Sequence, residues 1–201
     1  MNKAQETRER ILKQAADLFN QYGYAGSSMS DIMRVTGLQK GGIYNHFKSK
    51  EELALLAFDY AAACLGKRFL SAIRGKRRSL DQLKAIAAEF ATITESPPVM
   101  GGCPILNTAI ESDDAHPGLR YRAQAAMDTW RSLICRIIDK GIKKGEIPQN
   151  IEADAIATIM ISTLEGAVMM SKLYGDSLHI QRAIEHLNAY LVQQGGNRAT
   201  L

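Results

Sequence analysis

The sequence predicts an all-α protein of about nine helices, and three observations carry that expectation. Apolar residues recur at three- and four-residue spacing along most of the chain, and no alternating period-two run marks a strand. Capping residues and glycine or proline breaks separate the periodic segments at helix-sized intervals. With 201 residues, 46% of them hydrophobic and 23% charged, the chain is long and apolar enough to bury a sizeable core.

In the first segment Ile11, Ala15, Leu18, Phe19 and Tyr22 form one helical stripe that stops at Gly23. Ser28 or Ser30 caps a short helix carrying Ile32 and Val35, with Asp31 favourable in its first turn. Thr36-Gly37-Leu38 supplies a tight turn and an apolar anchor. A second short helix, from about Gln39 to Phe47, is expected to carry Ile43 and Phe47 inward. Ser49, with Glu52 three residues later, has the pattern of a capping box and opens a long helix at Lys50. Further helices are expected over 79–95, 103–112, 117–144, 152–174 and 177–194. Their breaks are Pro97-Pro98, Gly101-Gly102, the DDAHPG run at 113–118, Gly145 with Pro148, and Gly175.

Charge and composition narrow the function classes. Residues 1–50 hold eight basic side chains against four acidic ones, whereas the remainder holds seventeen of each. The whole excess of +4 therefore sits in the N-terminal quarter, as expected if that end meets a polyanion. No uninterrupted apolar run approaches a membrane span, and the N-terminus lacks the apolar core of a secretory signal, so a cytoplasmic protein with no membrane partner is expected. Its cysteines, Cys64, Cys103 and Cys135, are then reduced thiols, with Cys64 and Cys135 in apolar helical patterns. Phosphate loops, nucleophile elbows and metal-ligand spacings are all missing, so neither enzyme activity, cofactor nor metal is expected.

Two short helices joined by a tight turn make a helix-turn-helix, whose second helix lies in the major groove. With Ile43 and Phe47 inward, Lys40, Gly41, Tyr44, Asn45 and His46 face out. Lys40 suits a guanine edge or phosphate, Asn45 suits adenine, and Tyr44 and His46 suit phosphate oxygens. Gly41 lets backbone approach the sugar-phosphate surface, and Ser28, Ser30 and Thr36 are candidate hydroxyl contacts.

These residues resemble the TetR family of bacterial regulators. The match runs through Ala15, Phe19, Gly23-Tyr24, Ser28 to Ile32 and Gly37. It is most specific at Lys40-Gly41, Ile43-Tyr44, His46-Phe47, Lys48-Ser49-Lys50 and Glu51-Glu52-Leu53. The resemblance implies a DNA-binding domain over 1–50, a helical ligand-binding and dimerisation domain over 51–194, and a disordered tail over 195–201. It further implies a homodimeric repressor on a palindromic double-stranded operator, released by a small-molecule inducer. Tyr44 and His46 are then expected to grip phosphates, and Lys50 to contact the DNA backbone. Gly42 departs from the hydroxyl residue common there. The alternative is a helical DNA-binding adaptor with no small-molecule response.

In GGCPILNTAIESD, Pro104 suits the first position of a helix and Cys103 its N-cap, where free N–H groups and the helix dipole favour a thiolate. This opening resembles a TetR subset in which some members sense electrophiles or oxidants, with Lys172 as a candidate charge partner for Cys103. The competing reading is a small buried residue that fits. Phe90, Ile93, Asn107, Tyr121, Met127, Trp130, Ile134 and Met169, together with Cys103, are candidate ligand contacts, though such a stripe also describes plain core. Ala157, Ile161, Leu164, Val168, Leu187 and Tyr190 are candidate dimer contacts. A run of Lys67, Arg68, Arg74, Lys76, Arg77 and Arg78 without an acid is either a second nucleic-acid patch or a solvated loop.

Overall fold

The structure, a computed structural model, describes residues 2–112 and 116–195. Half of the expected DDAHPG turn, at 113–115, and the tail from 196 onward lie outside the described residues. Among the described residues there are nine α-helices and no strand. They are α1 (Lys3–Tyr22), α2 (Met29–Thr36), α3 (Lys40–Tyr44), α4 (Lys50–Ile73), α5 (Ser79–Glu95), α6 (Pro104–Ser112), α7 (Pro117–Lys143), α8 (Ala153–Tyr174) and α9 (Leu178–Gln194).

Compactness divides the chain into a first unit, Met1–Leu65 with Pro97–Ala126, and a second, Gly66–Ser96 with Met127–Leu201. Helices α4 and α7 each contribute residues to both. These bounds differ from a division of roles at residue 50.

In the first unit Ile11, Ala15 and Leu18 of α1 close on Ile32, Ile43, Phe47 and Leu53. Tyr22, expected on the same stripe, is instead exposed. Its helix ends at the next residue, where Gly23 takes φ 77. The segment before α6 is braced against α1 by side chains. Asn20 Nδ2 donates to the carbonyls of Met100 (2.9 Å) and Gly102 (3.0 Å), and Asp17 accepts from the Met100 N–H at 2.8 Å. Gly101 sits at φ +114, and a Cβ there would lie 2.5 Å from the Asn20 carbonyl oxygen, so only glycine permits this approach.

The second unit is built on apolar volume. Phe69, Phe90 and Trp130 stack with ring centroids 5.1–5.4 Å apart. Helices α5, α8 and α9 pack against one another. Ala157, Ile161, Leu164 and Val168 of α8 and Leu187 of α9 are buried inside this unit, so they are core residues and not the dimer contacts expected from the sequence; Tyr190 is half-buried. The reason is that α8 is apolar on both faces. A second stripe, Ile159, Met169, Met170 and Leu173, stays exposed beside Ser162 and Gly166. By length and composition α8 would also pass for a membrane span, but its inner face is packed protein core.

Candidate nucleic-acid interface

Helix α2 begins at a complete capping box. Ser28 Oγ accepts from the Asp31 N–H at 3.1 Å, while Asp31 Oδ2 accepts from the Ser28 N–H at 2.9 Å and its hydroxyl at 2.6 Å. These bonds and Arg34 hold the Asp31 carboxyl down at about 2. Helix α2 stops at Gly37, which adopts the left-handed conformation (φ 68, ψ 16) and turns the chain toward α3. Ile32, Ile43 and Phe47 are buried beneath that turn, and the Arg8 guanidinium lies 5.0 Å over the Phe47 ring.

Helix α3 is shorter than its sequence pattern suggested, ending at Tyr44 rather than Phe47. Gly41 and Gly42 weaken it, and its last turn tightens, with Ile43 O accepting from the N–H groups of both His46 (3.0 Å) and Phe47 (3.1 Å). Ile43 and Phe47 nevertheless point inward as expected. Lys40, Gly41 and Asn45 are exposed, Tyr44 is 38% exposed, and His46 is half-buried. The Lys40 ammonium lies 5.8 Å from the Tyr44 ring centroid. Nothing within 4 Å would meet a Cβ on Gly41, so its bareness serves something outside the chain or nothing.

Three expected DNA contacts are otherwise engaged. Thr36 is buried and donates its hydroxyl to Ile32 O at 2.7 Å, so it caps helix backbone and does not reach DNA. The Ser28 hydroxyl is occupied by Asp31, although the residue is exposed; Ser30 is exposed on α2. Lys50 donates to the Tyr24 carbonyl at 2.7 Å and lies 4.1 Å from the Tyr24 ring centroid. Burial lowers its pKa, against the opposing pull of Glu111. In this conformation its ammonium faces the protein. Sequence reasoning did not single out Gln39, the exposed N-cap of α3, whose side chain makes no capping bond and stands beside Lys40. Its signal was its place just ahead of Lys40.

The expected ligand contacts are divided between the two units. Cys103, Asn107 and Tyr121 belong to the first unit, and Phe90, Ile93, Met127, Trp130, Ile134 and Met169 to the second. Tyr121 is 70% exposed and Met169 52%, so neither lines a cavity in this chain. Asn107 Nδ2 donates to Asn20 O (3.1 Å), Asn20 Oδ1 (2.9 Å) and Gly101 O (2.9 Å), which makes it a brace between α6 and α1. Cys103 occupies the N-cap position, its carbonyl accepting from the Asn107 N–H at 3.1 Å, but it is 1% exposed. Lys172 lies on α8 in the other unit. Phe90, Ile93, Trp130 and Ile134 are buried in the second unit, and the Trp130 indole N–H has no acceptor among the described residues.

Residues 11–57 match the description "Bacterial regulatory proteins, tetR family", and residues 79–187 match "Tetracyclin repressor-like, C-terminal domain". The chain belongs to the TetR family. It is a helix-turn-helix transcriptional regulator. A TetR transcriptional regulator from Chloroflexus aurantiacus is 50% identical, with a TM-score of 0.93 over 96% of this chain and 98% of that one. A TetR-family regulator from Cytophaga hutchinsonii is 30% identical, with a TM-score of 0.91 over 98% and 99%. The transcriptional repressor DhaR of a Mycobacterium species is 25% identical over 83% of this regulator and 82% of its own length.

Proposed function

We propose that this TetR-family regulator is a cytoplasmic homodimeric repressor that binds a palindromic operator through α3 and is released by a small molecule. The observation that supports the DNA reading most is the bare outer face of α3. Gln39, Lys40, Gly41, Tyr44 and Asn45 stand exposed on a turn whose inner face is locked by Ile32, Ile43 and Phe47. The roles follow from chemistry. Lys40 and Asn45 read base edges, while Tyr44 and His46 hold phosphates. Residues 1–50 act as the DNA-binding domain and 51–194 as the ligand-binding and dimerisation domain. Dimerisation is assigned to the exposed stripe Ile159, Met169, Met170 and Leu173, because a helix with two apolar faces requires cover on both.

The inducer site is assigned to the second unit around Trp130, Phe90, Ile93 and Ile134, with Met127 beside them. A buried indole N–H without an acceptor is costly, and a ligand carbonyl or ether oxygen would relieve it. Ligand-driven movement there has a covalent route to the first unit along α4 and α7. To shift the population a hundredfold, the ligand must prefer the released state by about 2.7 kcal/mol. The Gly102-Cys103-Pro104 opening of α6 resembles thiol-sensing family members, but a 1% exposed thiol disfavours direct modification, so release is assigned to a ligand.

Selection from a random duplex library tests the DNA reading. The wild-type protein should enrich a palindrome with half-sites about one helical turn apart, and Lys40→Ala with Tyr44→Ala should abolish enrichment. Enrichment that survives both substitutions contradicts the assignment to α3.

A further inference from the structure

The basic run at the end of α4 does not end with its own segment. Arg68 leaves the run, since its guanidinium is folded inward onto Glu89, Thr92 and the Ser96 carbonyl. Arg74, Lys76, Arg77 and Arg78 remain exposed in the α4–α5 connection. The end of α7 meets this connection. Lys144 Nζ donates to the Arg77 carbonyl at 3.1 Å, the Glu146 carboxylate accepts from the Ser79 N–H at 2.6 Å, and a Cβ on Gly141 would lie 2.9 Å from that of Ser79. Lys140 and Lys143, both exposed in the last turn of α7, are thereby brought to the same end of the second unit.

This connection is fixed in place, unlike a merely solvated loop. Gly75 takes φ +78, and the carbonyls of Ile73, Lys76, Arg77 and Arg78 accept, in turn, from Lys76 N, Gln82 Nε2, Lys144 Nζ and Gln82 N. No ion pair among the described residues reaches Arg74, Lys76, Arg77 or Arg78. Glu146 is occupied by Ser79 and Lys144, and the exposed carboxylates nearest in sequence on the two flanking helices are Asp81, at the start of α5, and Asp139, near the end of α7.

We propose that Arg74, Lys76, Arg77, Arg78, Lys140 and Lys143 form a second, sequence-independent binding surface for the phosphate backbone of a DNA duplex. Three guanidiniums among six cations suit the two-oxygen geometry of phosphodiesters. An ordered array facing a polymer of closely spaced charges gains by counterion release. Together with α3, this surface would give the regulator two DNA-contacting elements. This role rests on the DNA-binding reading, whereas the surface itself does not.

The test uses the full chain with α3 disabled by Lys40→Ala and Tyr44→Ala, and a mixed-sequence duplex of about 30 bp as probe at about 50 mM NaCl. The disabled chain should still bind, with log K falling against log salt at a slope of about −4.5 to −5.4, as about five to six phosphate contacts require. Adding Arg74→Ser, Lys76→Ser, Arg77→Ser and Arg78→Ser should weaken that binding at least about tenfold at an unchanged melting temperature. Lys140→Ser with Lys143→Ser, which leaves the α4–α5 connection untouched, should weaken it severalfold. No binding by the disabled chain, no loss from either set, or displacement by poly-glutamate as effective as by competing DNA overturns the proposal. Failure of the α3 reading looks different: the patch substitutions would then abolish all DNA binding by the wild-type chain, and the α3 substitutions none of it.

Discussion

The two compact units handle polar chemistry in opposite ways. The first displays it: Lys40, Tyr44 and Asn45 stand in solvent, and its internal polar groups, Asn20, Asn107 and Asp17, brace one backbone segment to another. The core of the second conceals it, whatever the basic rim at the α4–α5 connection displays. Trp130 is buried among stacked aromatic rings with its N–H unanswered, and Glu165 is buried on the core side of α8. A surface that reads a polymer must present fixed donors to solvent. A core that admits a small molecule instead needs shape and a few interior polar groups. The contrast explains why residue chemistry alone reveals the partner of the α3 face, while the core of the second unit yields only a class of ligand.

The largest effect expected within this comparison comes from Phe47→Ala. Removing a fully buried ring beneath α3 should cost about 3–5 kcal/mol. Hydrogen exchange should show protection lost in α1–α3 and retained in α5, α8 and α9. Equal loss in all of them would mean that the two units do not unfold separately. Asn107→Ala removes the donor shared by Asn20 and Gly101 and should cost about 1–3 kcal/mol in denaturant unfolding. No change would show the brace to be incidental.

Asn45→Ala should cost about 1–3 kcal/mol against the preferred operator and relax preference at one base position, read from a panel of single-base variants. Uniform loss across the panel would make Asn45 a phosphate contact. Trp130→Phe should change stability by less than about 1 kcal/mol, because it deletes a buried donor with no partner, yet it should blunt the thermal shift produced by an inducer. A large destabilisation would mean that the N–H has an acceptor.

The smallest effect concerns acid. The Asp31 carboxyl titrates at about 2 in the folded chain, below its ordinary value. Its contribution is therefore present above about pH 4 and disappears as pH falls through about 2. Asp31→Asn should lower the melting temperature at neutral pH, and the gap from wild type should narrow steadily below pH 4.

Helix ends were legible wherever the chain carries its own punctuation. Pro104, Pro117 and Gly175 put the bounds of α6, α7 and α8 within one residue of their expected places. Helix α3 came out shorter because a pair of glycines weakens a helix without marking where it stops. The roles of Thr36, Lys50 and Asn107 were not legible, since each is settled by a backbone carbonyl: Ile32 within its own helix, or Tyr24 and Asn20, which lie 26 and 87 residues away. The dimer contacts went astray for a different reason. Periodicity finds apolar faces, and on α8, which has two, it cannot tell the one turned to its own core from the one left for a partner.

Photo-crosslinking tests the central assignment most directly. A benzophenone side chain placed at position 45, in the presence of the selected operator, should crosslink to DNA. The same group at Leu173, 74% exposed on α8, should crosslink to a second copy of the chain. DNA adducts from position 173 with none from position 45 would contradict the account.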